Sequence, residues 1–218
     1  WKTPNSSEES LIKQVEVMSQ CLQHRGPDDS GHWVDAQEGL VFGHRRLAIQ
    51  DLSSAGSQPM SLASGRFIIA YNGEIYNSPA LRRQLEEEDS APIWQGHSDT
   101  EVLLATIESW GLETAVSRFN GMFAFAVWDK HEHTLHLVRD RLGIKPLYYG
   151  FSRGTFLFGS ELKALQAHPD FDFEIDRDAL ALFFRNNVIP APYTIFRGIR
   201  KLQAGTLLTL TRLDAEPQ

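Results

Sequence analysis

One cysteine, Cys21, stands among 218 residues. That excludes an internal disulfide and suits a reducing compartment. No apolar run approaches the length of a membrane helix, and the opening WKTPNSSEES lacks the apolar core of a secretory signal. A Walker or dinucleotide glycine loop is absent, as is a Gly-x-Ser-x-Gly elbow. The eight histidines do not fall at metal-ligand spacing with cysteine. His131 and His133 flank an acidic residue in a polar stretch and read as an exposed turn. Basic excess is missing too: the net charge is −7, which argues against nucleic acid as a partner. These absences leave a cytoplasmic protein with no membrane, nucleic-acid or metal partner as the expectation.

What is present is ordinary globular material, 42% apolar and 22% charged, without internal repeats. Apolar residues at Leu11, Ile12, Val15 and Met18 keep helical spacing. The spacing predicts a helix over 6–21, with Cys21 structural near its end. Short strands are expected at 31–35, 40–44 and 66–71, and a charged helix over 79–89. Ser98-Asp99-Thr100-Glu101 has the form of a capping box before a helix over 99–110. A second helical piece covers 112–118. Hairpins are expected from 122–128 with 134–139 and from 147–151 with 155–158. Helices over 161–167 and 176–187 and a last strand at 206–211 follow, with Pro190-Ala191-Pro192 as a rigid elbow. Strands joined by short turns predict antiparallel sheets, hence an α+β fold with helices covering them.

Four stretches join rigid turn residues to dense hydrogen-bonding groups: 24–31, 43–49, 71–77 and 96–101. Asn72-Gly73 is a common turn signal after the apolar run Phe67-Ile68-Ile69-Ala70. Asp28 reads as a holder of turn amides, Asp99 as a helix cap and Arg46 as a surface cation if each is taken alone. Together they are complementary. Arg46 can grip a carboxylate by two parallel bonds. Asp99 can accept from an ammonium. The Asn72 amide with a backbone N–H at Gly73 has the composition of an oxyanion hole. A ligand with carboxylate, ammonium and reacting carbonyl is an amino acid with an amide or ester side chain.

In order along the chain, RGPDDSG, HRRLAI, YNGEIYN, SDTEVLL, FNGMFAFAVWD, RDRLGIKPLYY and GSELKAL resemble the glutaminase domain of the asparagine synthetase (glutamine-hydrolysing) family. The likeness runs from about Ser7 to Leu210, and VIPAPYTIFRGIRKLQAG resembles that family's run towards its second domain. It implies a class II glutamine amidotransferase with the N-terminal-nucleophile fold, a four-layer α-β-β-α sandwich of two antiparallel sheets. It implies that L-glutamine is hydrolysed and its ammonia passed to a C-terminal, ATP-dependent synthetase domain, with ATP and magnesium belonging there and no cofactor here. Carried across, Arg46 would hold the substrate carboxylate, with Leu47, Ile49 and Gln50 lining the same pocket. Asp99 with Glu74 would take the ammonium, and Asn72 and Gly73 would form the oxyanion hole. The expected layout is an amidotransferase domain over 1–212 and the start of a linker at 213–218.

The likeness departs in one respect. The family's nucleophile is a cysteine at the mature N-terminus, and residue 1 here is Trp. Cys21 does not match that position. Either a first strand carrying the nucleophile precedes Trp1, which is the expectation, or the chain is a nucleophile-less glutamine-binding or interaction module without hydrolase activity. A purely structural partner is a third reading. The amide acceptor, and whether the protein is a homodimer, stay open.

Overall fold

The computed structural model describes residues 1, 7–49 and 51–211. Helix α1 (Glu8–Gln20) begins where the Ser7 hydroxyl accepts the Ser10 N–H, and it buries Leu11 and Val15. Strands β1 (Asp29–Asp35) and β2 (Leu40–Arg46) form a hairpin. Strand β3 (Phe67–Ile75) leads into α2 (Ser78–Glu87). Helices α3 (Asp99–Trp110) and α4 (Leu112–Arg118) follow. Strands β4 (Gly121–Asp129) and β5 (Thr134–Arg139) form one hairpin, β6 (Tyr148–Ser152) and β7 (Thr155–Gly159) another. Then come α5 (Leu162–Gln166), α6 (Arg177–Asn186), β8 (Ile199–Lys201) and β9 (Leu207–Leu210).

Every strand pairing is antiparallel. One sheet has the order β3-β4-β5-β9; facing it are β7-β6-β8 and the β1-β2 pair. Alternation along β3 and β4 sorts their side chains between two cores. Ile69, Tyr71, Phe123, Phe125 and Val127 pack against Val102, Leu103, Leu104 and Ile107 of α3. Ile68, Ala124, Ala126 and Trp128 face Phe42 of β2 and Phe156 of β7. On the far side Leu157 and Ile199 meet Ala164 and Leu165 of α5, with Met18 and Leu22 alongside. The layers are therefore α-β-β-α, as expected, with the second β layer in two pieces.

Several boundaries differ from the sequence reading. Asn72 and Gly73 are not in a turn: β3 runs on to Ile75, with Asn72 opposite Ala124 and Gly73 opposite Phe123. The long partner β4 overrides the local turn preference. β2 likewise continues to Arg46, paired with Asp29. The capping box is half made. Ser98 Oγ accepts the Glu101 N–H at 3.4 Å, but the Glu101 carboxylate turns to the N–H groups of Gln95 (2.7 Å) and Gly96 (3.1 Å). β8 has three residues, too few to show a period, and forms because β6 offers it an edge.

A buried carboxylate supports the loop after β5. Asp140 accepts N–H groups from Leu142, Ile144, Lys145 and Phe123 at 3.0–3.2 Å. Burial pushes its acidity one way, but these four donors win and hold its carboxyl below the usual range.

Candidate active site

A cavity of about 470 Å³ opens beside the outer edge of β3. Arg46, Leu47, Ile49, Asn72, Gly73, Glu74 and Asp99 all line it. These residues span 46–99 in sequence and come from β2, the loop behind it, β3 and α3. Gln50 falls outside the described residues. Leu47 and Ile49 are exposed and form the rim.

The edge of β3 explains the polar groups after its apolar run. Antiparallel pairing sends alternate N–H groups away from the partner strand. Ile69 exchanges both bonds with Met60 at 2.9 Å, so Ile69, Tyr71, Gly73 and Ile75 turn their N–H groups outward from β4. The Tyr71 N–H donates to Gln58 Oε1 at 2.7 Å and the Ile75 N–H to Asp99 Oδ2 at 2.8 Å. The Gly73 N–H lies between them on that same edge, where the cavity is. A side chain at Gly73 would meet Phe123 Cα at 2.7 Å and the Met122 carbonyl oxygen, so β4 also requires glycine there.

Asn72 points to the opposite face, at the end of the row Ile68, Ala70, Asn72. Its Nδ2 is buried and has no hydrogen-bond partner among the described residues. A buried amide left without an acceptor costs on the order of 1–3 kcal/mol. Asn72 and Gly73 both border the cavity, and a side-chain amide with a backbone N–H is the composition an oxyanion needs.

Asp99 heads α3 and is buried. Its Oδ2 also accepts the Tyr71 hydroxyl at 2.6 Å. Desolvation raises its carboxyl above the usual range, countered in part by Tyr71 and Ile75. A cation arriving beside it would offset that desolvation. Arg46 is not a loose surface cation: Nη1 donates to the Ser53 carbonyl at 2.9 Å and Nη2 to the Asp51 carbonyl. These two carbonyls hold the guanidinium in place at the cavity wall. The Asp51 side chain in turn accepts N–H bonds from Ser53 (2.8 Å) and His97 (2.9 Å), chiefly through His97 lowering its pKa to about 2. Asp28 reaches across the fold instead of along its own turn, accepting the Ala48 N–H at 2.9 Å and tying down the loop behind β2.

Next to this cavity runs a narrower, mainly apolar slot of about 120 Å³. Val41, Gly43 and His44 of β2 line one side, and Phe156, Leu157 and Phe158 of β7 the other. Among the described residues β2 pairs only with β1, and β7 only with β6. Trp1 closes one end: its nitrogen donates to the Phe156 carbonyl at 2.8 Å, and the Phe156 N–H donates to the Trp1 carbonyl at 2.9 Å. Asn72, His44 and Ser160 border both slot and cavity.

Cys21 lies outside both linings, its thiol directed to the Val17 carbonyl at 3.6 Å. His131 and His133 are exposed and face Glu132 and Glu38. Among the described residues no group of three or more His, Cys, Asp or Glu is placed to hold a metal ion. Sequence reasoning missed His44, Gln58 and Tyr71. His44 and Tyr71 were signalled only by position, two residues from Arg46 and one from Asn72; nothing in the sequence signalled Gln58.

The family described as "Glutamine amidotransferase domain" matches residues 2–218. "Asparagine synthetase [glutamine-hydrolyzing] 3" of Bacillus subtilis (strain 168) is 41% identical over 201 residues, 91% of this chain and 32% of that protein. "Amidase chry2" of Gibberella zeae is 31% identical over 98% of this chain and 31% of its own length. The chain therefore spans about a third of the length of these relatives. Among solved structures, a glutamine phosphoribosylpyrophosphate amidotransferase from B. subtilis, complexed with ADP and GMP, superposes with a TM-score of 0.68 over 94% of this chain and 46% of its own. At 20% identity that likeness speaks for the fold alone. With nearly its whole length matched, this chain belongs to the glutamine amidotransferase domain family.

Proposed function

We propose that this domain binds L-glutamine in the cavity beside β3 and hydrolyses its side-chain amide to glutamate and ammonia. The observation that carries this reading is the unpartnered, buried Nδ2 of Asn72 beside the outward Gly73 N–H. A side-chain amide with no acceptor among the described residues, next to a backbone N–H turned away from β4, is suited to a carbonyl oxygen that gains negative charge. Arg46 takes the substrate carboxylate and Asp99, with Glu74, the ammonium. Backbone groups around Leu47 and Ile49 line the same pocket.

The slot between β2 and β7 supplies the place for the nucleophile. Trp1 and Phe156 bond as an antiparallel pair, so a strand continuing upstream of Trp1 would run along β7 towards Ser160. That is where slot and cavity meet. A thiolate carried there would attack the amide carbon, with the oxyanion held by Asn72 and Gly73. Ammonia leaves, and water then hydrolyses the thioester. The alternative, a glutamine-binding module without turnover, needs the same pocket but leaves the slot without a role.

In the whole protein the ammonia serves an ATP- and magnesium-dependent amidation in a C-terminal synthetase domain, reached through a linker beginning near residue 213. We place that protein in the cytoplasm. No helix among the described residues is long and apolar enough to cross a membrane.

The test is Asn72→Ala in the full natural chain. Loss of one oxyanion donor costs on the order of 100- to 1,000-fold in turnover. Glutamine-dependent activity should fall by that factor while ammonia-dependent activity persists. Equal loss of both overturns the assignment.

A further inference from the structure

His44 is a polar group that the roles assigned above leave unused. Its Nε2 lies 3.0 Å from the Tyr71 carbonyl oxygen. A carbonyl only accepts, so Nε2 carries the hydrogen, and in the neutral ring Nδ1 holds a lone pair. That Nδ1 is buried and has no partner among the described residues. Burial, with the nearby Arg46 charge, favours the neutral ring and holds the pKa near 4 despite the Tyr71 bond.

Its position is also specific. Phe42, His44 and Arg46 share one face of β2. Phe42 is in the core between the sheets, Arg46 borders the cavity, and His44 borders both cavity and slot. Two residues along a strand span about 7 Å, comparable to the reach of extended glutamine from carboxylate to side-chain amide. A ligand anchored on Arg46 with its carbonyl oxygen at Asn72 and Gly73 therefore passes His44 near its reacting end. That end carries one acceptor and an N–H₂ group. Asn72 and Gly73 supply donors for the acceptor; among the described residues around the junction, His44 Nδ1 is the orphaned acceptor.

Resting on the glutamine reading, we propose that His44 is the specificity residue that separates amide from carboxylate. Its Nδ1 accepts an N–H of the substrate amide. Glutamate, the product, offers only oxygens there, and a carboxylate oxygen against a buried lone pair is repelled. The same contact lowers affinity for the product once the amide is gone. A pocket that leaves a buried polar group unpaired rejects the wrong ligand strongly.

The test compares glutamate inhibition with the glutamine KM in the full natural chain, for the wild type, His44→Ala and His44→Phe. Phenylalanine keeps the ring volume and removes both nitrogens. If either variant folds too loosely for turnover, calorimetric titration with glutamine and with glutamate replaces kinetics for both. The expected wild-type ratio, glutamate Ki over glutamine KM, is at least about tenfold, falling towards one in the folded variants. A ratio unchanged in a folded variant overturns the proposal and leaves glutamine hydrolysis standing. That is the result expected if Nδ1 serves a backbone N–H of a strand in the slot. A wild type that neither binds nor hydrolyses glutamine overturns both.

Discussion

The Tyr71 hydroxyl donates to Asp99 Oδ2 across 2.6 Å, tying the middle of β3 to the first residue of α3. The Ile75 N–H reaches the same oxygen at 2.8 Å. The carboxylate proposed to meet the substrate ammonium is thus oriented by two donors from β3, the strand that also carries Asn72 and Gly73. Tyr71→Phe removes one. Loss of a hydrogen bond to a buried charged group costs about 1.5–3 kcal/mol, and the expected result is a lower melting temperature with a raised glutamine KM. Equal affinity in the variant would separate Asp99 from the substrate ammonium.

Asp99→Asn is the sharper probe of charge. Its side-chain oxygen still accepts from Tyr71 and Ile75, so the fold is retained. The ammonium loses its counter-charge, and glutamine binding should weaken at least about tenfold. A binding titration reads this directly.

Arg46 can be disturbed without touching it. A methyl group added at Gly56 would run into Arg46 Nη2. The guanidinium is the end of a flexible side chain, so it shifts rather than unfolding the domain. Gly56→Ala should therefore raise the glutamine KM severalfold with little change in kcat, in the direction of Arg46→Ala, because the carboxylate it grips does not react. Steady-state kinetics with thermal denaturation as control decide it. An unchanged KM would remove Arg46 from the pocket.

Gly73→Ala behaves differently. Its added carbon meets β4 backbone, which cannot move aside. Overpacking of this kind costs about 1–3 kcal/mol, and the N–H is displaced with it. Stability and glutamine-dependent turnover should fall together, measured by denaturant unfolding and by glutamate release.

Acid should destabilise the domain through His44 and Asp140. A histidine held near pKa 4 resists protonation in the fold but not in the unfolded chain, where its value is about 6.5. Between those values the unfolded state binds more protons, so stability falls as pH drops, by up to about 3 kcal/mol from this residue. Asp140, lowered by its four N–H donors, works in the same sense further down: its contribution is present above the ordinary carboxylate range and is lost as pH falls through its folded value. His44→Phe should flatten the unfolding curve between pH 6.5 and 4, measured by urea titration across pH; an unaltered slope would mean that the ring is protonated in the native state.

Most elements were legible because their periods are strong. The helix over 99–110 was read with its boundaries intact, since Ser98 caps it and Gly111 ends it. The two hairpins after residue 120 were read nearly as they stand. Asn72-Gly73 was misplaced because a turn dipeptide says nothing of the partner strand: nine register pairs with β4 hold it extended. β8 was invisible because its stability comes from β6. The grouping of Arg46, Asn72, Gly73 and Asp99 was legible from their chemistry; the tethering of Arg46 by the Asp51 and Ser53 carbonyls was not.

Residue types and their order supplied the candidates, Arg46 for a carboxylate, Asp99 for an ammonium and Asn72 with Gly73 for a carbonyl oxygen, and pointed to antiparallel strands. Local chemistry is sufficient for that, because each group's donors and acceptors travel with the residue. Only the tertiary structure decided which of them face one another. The alternation of β3 aims the Gly73 N–H outward while Asn72 turns inward, and β2 sets His44 two residues deeper than Arg46. Such directions depend on register against distant strands, and a register is fixed only when both partners and the cores on either side are in place.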